Sequence, residues 1–143
     1  LKNRQDSKSM LVLVNSVKTL EKYVNHIPEQ AYQLIQFATK PLTIIYPDGV
    51  NLAENLLAAD YSIGIRLTKD PFCANLINEI RRPLVSTSAN VSGQASPKNF
   101  AEIAQTIKDG VDYIVGLRQN EKTNPPPSNI IKLELNGQFQ IIR

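Results

Sequence analysis

The chain has 143 residues, 42% apolar and 20% charged, a composition that can bury a sizeable core and excludes a disordered segment. Sixteen basic and thirteen acidic side chains leave a net charge of +3, which suits a nucleotide or polyanion partner without requiring one. No apolar run reaches about 18 residues, so no transmembrane helix is expected, and the single Cys73 cannot close an internal disulfide, which points to a reducing, cytoplasmic setting.

Leu1 to Asp6 are polar and basic, without the apolar core of a signal peptide. With Leu1 where an initiator methionine would stand, they read as the middle of a protein. Met10–Val14 is a short apolar run, a buried strand. A helix follows, with Val17, Leu20 and Val24 on one face and Ser16 as its N-cap. Pro28 opens a second helix whose stripe is Ala31, Leu34, Ile35 and Ala38. Pro41–Tyr46 reads as a strand stopped by the turn Pro47-Asp48-Gly49. Leu52–Ala59 reads as a short helix and Ser62–Leu67 as a strand. Pro71 opens a helix with Phe72, Leu76 and Ile80 on one side and Cys73 and Ile77 beside them.

Leu84–Ser86 is a short strand running into the polar cluster Ser86-Thr87-Ser88-Ala89-Asn90-Val91-Ser92-Gly93. Ser96 and Pro97 start an amphipathic helix through Phe100, Ile103, Ala104 and Ile107, and Tyr113–Val115 reads as a strand. A loop from Gln119 to Ser128 holds Pro125-Pro126-Pro127, which favours an extended stretch. Two alternating runs, Ile130–Leu135 and Gln138–Arg143, flank Asn136-Gly137 and signal a hairpin. Helices and strands alternate before a closing hairpin, so the fold class is α/β with a mixed sheet.

The chemistry is sparse. His26 has no metal-ligand company and reads as a surface histidine, and no metal site is expected. Cys73 lies on an apolar helix face and reads as a small core residue. The basic group Lys2, Arg4 and Lys8 is a solvated segment or a phosphate clamp. Arg66 stands alone in the apolar run Ile63-Gly64-Ile65-Arg66-Leu67. If that strand is central, the cation needs an anion, either a ligand carboxylate or phosphate or a distant Asp or Glu. The Ser/Asn cluster is a turn, a cap, or a nest of hydroxyl and N–H donors at a strand's carboxyl end, where α/β sheets bind ligands.

Lys2-Asn3-Arg4, Pro41-Leu42-Thr43, Ile63-Gly64-Ile65-Arg66, the block Pro83–Gly93, Ser96-Pro97 and Ile141-Ile142-Arg143 together resemble the YrdC-like family of threonylcarbamoyl-adenylate synthases, over essentially the whole chain. The resemblance implies a twisted open mixed sheet flanked by helices, and one YrdC-like domain over 1–143 lacking the family's N-terminal strand and Pro-Thr-Asp-Thr-x-Tyr-Gly-Leu segment. It implies a nucleotidyltransferase that condenses L-threonine, bicarbonate and ATP into threonylcarbamoyl-AMP, whose threonylcarbamoyl group passes to a tRNA adenosine through the transfer machinery. ATP with Mg²⁺ enters as substrate, and no tightly bound cofactor is implied.

Carried over by resemblance, Lys2, Arg4, Lys8, Ser62, Ser88, Asn90, Ser96 and Arg143 hold ATP, while Arg66, Ser86 and Ser128 hold threonine. No residue serves as nucleophile; Lys2 and Arg4 stabilise charge. A module of the same fold that binds double-stranded RNA or tRNA without synthase activity is the alternative. The carbamoyl-adenylate chemistry of hydrogenase maturation is a third. The sequence departs from the family pattern at Gln5, where proline is usual, at Leu13, where some members carry histidine, and at Ser128-Asn129, where Ser-Thr is usual.

Overall fold

The computed structural model describes residues 10–123 and 128–143. Two compact units emerge: one comprises the chain up to Thr87 together with Ser128–Arg143, the other Ser88–Pro127. Lys2, Arg4, Lys8 and the three prolines fall outside the described residues.

The first unit is built on a six-stranded sheet in the order β4-β1-β3-β2-β5-β6. Its strands are β1 (Leu11–Val14), β2 (Leu42–Tyr46), β3 (Ile63–Leu67), β4 (Leu84–Ser86), β5 (Asn129–Leu133) and β6 (Phe139–Ile141). β1 runs parallel to β3, and β2 parallel to β5; the other pairings are antiparallel. The mixed α/β sheet expected from the sequence is therefore present.

Alternation along each strand sorts the side chains between two faces. One face carries Val12, Val14, Ile44, Tyr46, Ile63, Ile65 and Leu133, each at most 2% exposed. Leu20 of α1 (Val17–Leu20), Ala31 of α2 (Glu29–Phe37) and Val24 join them in the main core. Burying each large aliphatic side chain contributes about 1.5–3 kcal/mol, so this face dominates the stability of the unit. The other face, by register, carries Leu11, Leu13, Thr43, Gly64 and Arg66.

Local signals explain the helix ends. The Ser16 hydroxyl accepts from the Thr19 amide and starts α1, but the helix stops at Leu20, and Val24 instead bridges to Gly49. Gly49 is crowded from another side: a Cβ there would lie 2.7 Å from Leu57 Cδ2 and 2.8 Å from Ile63 Cγ2. α3 (Pro71–Ile80) has Pro71 at its start and Asp70 as its cap, with the Cys73 amide donating to Asp70 Oδ1. Its buried residue is Ile77, whereas Phe72 and Ile80 are 38% and 43% exposed, so the inward face is turned from the one the sequence suggested.

Three expected elements differ. Leu52–Ala59 forms only the 3₁₀ turn Glu54–Leu56, because Leu57 turns extended and Leu52, Leu56 and Leu57 pack against the core from a loop. In the second unit the helix expected from Ser96-Pro97 is replaced by a 3₁₀ turn, Phe100–Glu102, and the short α4, Gln105–Lys108. Asn99 caps the turn by accepting from the Glu102 amide, while Glu102 accepts from the Lys98 amide; Ile103 and Ala104 are extended and break the run. Tyr113–Val115 is not a strand. It pairs with no ladder among the described residues, and Tyr113 is 79% exposed.

The terminal hairpin is present, but its turn is not the two-residue kind. Gly137 alone has positive φ (82°), its amide donates to Glu134 O, and the Glu134 amide donates to Gln138 O. This is the longer loop with glycine in the left-handed position. Among the described residues no helix is long and apolar enough to cross a membrane.

Candidate functional site

Arg66 lies at the carboxyl end of β3, the third strand of the sheet from the β4 edge. Register places Thr43 of β2 opposite it on the same face. The pairing of β5 with β2 sets Ser128 beside the start of β2, where the Asn129 amide donates to Pro41 O. β6 then returns antiparallel to β5 and brings Arg143 back to Ile130, whose amide donates to Arg143 O at 2.8 Å. Four side chains remote in sequence thus meet at one end of the sheet.

Their hydrogen bonds are lopsided. Arg66 Nε and Nη2 both donate to Thr43 Oγ1 at 3.0 Å, and Nη2 also donates to Ser128 Oγ at 2.7 Å. Arg143 Nε donates to Ser128 O at 3.2 Å. Thr43 and Ser128 are 3% and 7% exposed, yet neither hydroxyl donates to another described residue. Arg66 makes no ion pair among the described residues, and its Nη1 makes no hydrogen bond there. Burial, with Arg143 as a second and like charge, pulls the Arg66 guanidinium below its ordinary pKa. The distant Asp or Glu that would have explained this arginine is absent among the described residues. A cluster rich in free donors and poor in free acceptors has the chemistry that suits an oxyanion, carboxylate or phosphate.

Ser86 sits on the same face. It pairs with Leu11, and the β1–β3 register sets Leu11 level with Gly64, so Ser86 lies two strands and about 10 Å across the sheet from β3. Ser62 also shares the face, but at the opposite end of β3, about 13 Å along the strand from Arg66. Its hydroxyl donates to Asp60 Oδ1 at 2.6 Å, and Lys132 Nζ reaches Asp60 Oδ2 at 3.3 Å. Ser62, chiefly through its hydroxyl and then its amide, holds the Asp60 carboxyl below the usual range, with Lys132 adding to this.

Ser88, Asn90 and Ser96 belong to the second unit. Asn90 Nδ2 donates to Gln94 O at 2.7 Å and to Val91 O at 3.2 Å, closing a turn, while its Oδ1 is buried with no hydrogen-bond partner among the described residues. Ser88 and Ser96 are exposed. The structure therefore brings Arg66, Ser128 and Arg143 together, sets Ser86 on their face, and leaves Ser62 at the far end of the strand. His26 is exposed, with Nδ1 3.3 Å from Asp48 Oδ2, and Cys73 is half-buried. Among the described residues no three His, Cys, Asp or Glu side chains group as metal ligands would.

Two residues of this site had no role assigned from the sequence. Thr43 is the principal acceptor for Arg66, and its signal was the Pro41-Leu42-Thr43 block. Gly64 forms a bare floor between Ser62 and Arg66, and its signal was a glycine inside a strand.

The family model for Sua5, YciO and YrdC, described as telomere recombination, matches residues 1–143. A protein of Methanocaldococcus jannaschii is 34% identical over 136 residues, covering 94% of this chain and 61% of its own length. The threonylcarbamoyl-AMP synthase of Idiomarina loihiensis is 27% identical over 128 residues, covering 87% of this chain and 69% of its own. The chain thus spans about three fifths to two thirds of these relatives. Among solved structures, Escherichia coli YciO superposes with a TM-score of 0.79 at 21% identity, over 97% of this chain and 66% of that one. Sua5 of P. abyssi, complexed with L-threonine, superposes with a TM-score of 0.74 at 22% identity, over 92% of this chain and 38% of that one.

Proposed function

The chain belongs to the Sua5/YciO/YrdC family, and from that premise we propose that it serves ATP-dependent synthesis of threonylcarbamoyl-AMP from L-threonine and bicarbonate. The product's threonylcarbamoyl group is destined for a tRNA adenosine. The observation that carries this reading is the Arg66 guanidinium, fixed by two buried hydroxyls beside a second arginine and lacking an acid among the described residues. A substrate carboxylate supplies the missing charge. Relatives named as threonylcarbamoyl-AMP synthases support the choice of reaction, and a fold neighbour complexed with L-threonine supports the choice of amino acid.

In this reading Arg66, Ser128 and Ser86 hold threonine, with the α-carboxylate on Arg66. The amine of threonine and bicarbonate form a carbamate with loss of water. A carbamate oxygen attacks the α-phosphorus of ATP, the bond from that phosphorus to the bridging oxygen breaks, and pyrophosphate leaves with the electron pair. The chain's part is alignment and stabilisation of charge, with Mg²⁺ accompanying the nucleotide, so no side-chain nucleophile is needed.

In this reading Arg143, whose Nε donates to Ser128 O and whose charge is felt by Arg66, serves as a phosphate ligand next to the carboxylate, which suits a reaction that must join the two substrates. Asn90 spends its amide nitrogen on its own turn, donating to Gln94 O and Val91 O, and in this reading it shapes the loop of the nucleotide ligands. Lys2, Arg4, Lys8, Ser62, Ser88 and Ser96 complete the proposed nucleotide ligands.

The test is pyrophosphate release by the full-length protein given ATP, bicarbonate and L-threonine. Release that depends on threonine is the expected result. ATP turnover indifferent to threonine, or RNA binding without nucleotide binding, overturns the reading.

A further inference from the structure

We infer that Thr43 is a positioning residue that sets the plane of the Arg66 guanidinium, and so determines how a carboxylate is received. The inference rests on the reading of Arg66 as the carboxylate receptor and adds to it a residue without any assigned role.

The geometry is specific. A guanidinium offers five N–H donors in a fixed fork. Thr43 Oγ1 takes two of them, Nε–H and one N–H of Nη2, each at 3.0 Å, along the edge that would otherwise meet a carboxylate side-on. Ser128 Oγ takes the remaining Nη2 donor at 2.7 Å. Both hydrogens of Nη1 stay available for the ligand. Thr43 thereby closes the side-on edge of the arginine, Ser128 holds the second Nη2 hydrogen, and Nη1 is the nitrogen left to face a ligand.

Thr43 is itself held. It is 3% exposed within a central strand and stands directly opposite Arg66 in the antiparallel ladder. A β-branched side chain in a strand keeps few rotamers, so its oxygen is a fixed anchor rather than a wandering one. Without it, nothing else among the described residues accepts from Nε, and a half-buried arginine beside Arg143 would be free to turn away from the like charge.

The experiment compares calorimetric binding of L-threonine and of L-threoninol, which lacks the carboxylate, to the full-length protein and to its Arg66→Ala, Thr43→Val and Thr43→Ser variants. Thr43→Val keeps the shape and removes the acceptor; Thr43→Ser restores the acceptor. The expected result is a loss of threonine affinity of about 100-fold in Arg66→Ala and about tenfold in Thr43→Val, with recovery to within about threefold in Thr43→Ser. Threoninol, which has no carboxylate to be received, should show no matching tenfold step between the wild type and Thr43→Val, an outcome that a general loss of packing would not give.

If Arg66→Ala weakens threonine and Thr43→Val does not, the inference about Thr43 fails while the receptor stands. If Arg66→Ala binds threonine unchanged, the receptor itself fails. Should Thr43→Val not fold, the Arg66 Nε–H signal of the wild type decides by NMR. Protection from solvent exchange supports the locked geometry, and exchange at the rate of free arginine overturns it.

Discussion

Gly64 shows how little stands over the floor of the candidate site. A Cβ built there would meet only Thr43 Cγ2 at 3.6 Å and Leu11 Cβ at 3.9 Å, which are ordinary contacts. Gly64→Ala should therefore leave the fold intact, since alanine is favoured over glycine in a strand interior by about 0.5–1 kcal/mol. The added methyl would project toward a ligand held at Arg66, and a misplaced methyl group in a fitted pocket costs about tenfold or more in affinity. Thermal unfolding should show an unchanged or higher midpoint while calorimetry shows weaker threonine binding; equal affinity would place the ligand away from this floor.

Asp60 gives a prediction with a pH sign. Its carboxyl sits below its unfolded value, mainly through Ser62, so its contribution to stability is present above the unfolded value and is lost as pH falls through the folded one. Ser62→Ala should move the Asp60 titration, followed by NMR, upward toward an ordinary aspartate. Arg66 was legible in the sequence because a lone cation in an apolar run demands an explanation. Thr43 was not, because threonine in a strand is commonplace and only the partner across the ladder gives it a task.

At the scale of elements, two ends carry testable weight. Asp70→Ala removes the cap of α3 and should cost about 1 kcal/mol by chemical denaturation. Gly137→Ala forces a side chain into the left-handed region at φ 82° in the β5–β6 turn and should cost about 1–2 kcal/mol. A loss much below these values would show that neighbouring contacts, rather than the cap or the turn, hold the element.

The elements read correctly were those with a clear pattern and a stop: α2 and α3 opened at prolines, β1, β2, β3 and the hairpin were bounded by turn residues, and β4 ran from Pro83 into the polar cluster. The failures share a physical cause. Leu52–Ala59 and Phe100–Ile107 have helical spacing, but the segments are short, and packing or local side-chain caps outweigh propensity in them. Tyr113–Val115 has strand composition without a ladder partner among the described residues, and a strand is a property of two segments. For the same reason the meeting of Arg66, Ser128 and Arg143 was reachable from the sequence only through family resemblance: the contact between Arg66 and Ser128 spans 62 positions, which no local pattern reports.

At the scale of the whole molecule, the two units differ in what they bury. Every buried residue among those described belongs to the first unit; between Ser88 and Thr123 none falls in that class. Native-state hydrogen exchange should find the slowest amides in β1, β3 and β2, and exchange faster by orders of magnitude across the second unit. Comparable protection in both would mean that the second unit has a core of its own. The strand order carries one more consequence, for a chain still on the ribosome. β2 is complete at Tyr46, but its outer neighbour β5 arrives only after the Ser88–Pro127 insertion has been made. At roughly 5–20 residues per second, the open edge of β2 waits several seconds for its partner. Over that interval the nascent chain lacks Leu133 from its core and Ser128 from beside Arg66, so the hydrogen-bonded setting of Arg66 is completed late in synthesis, together with the closing of the sheet.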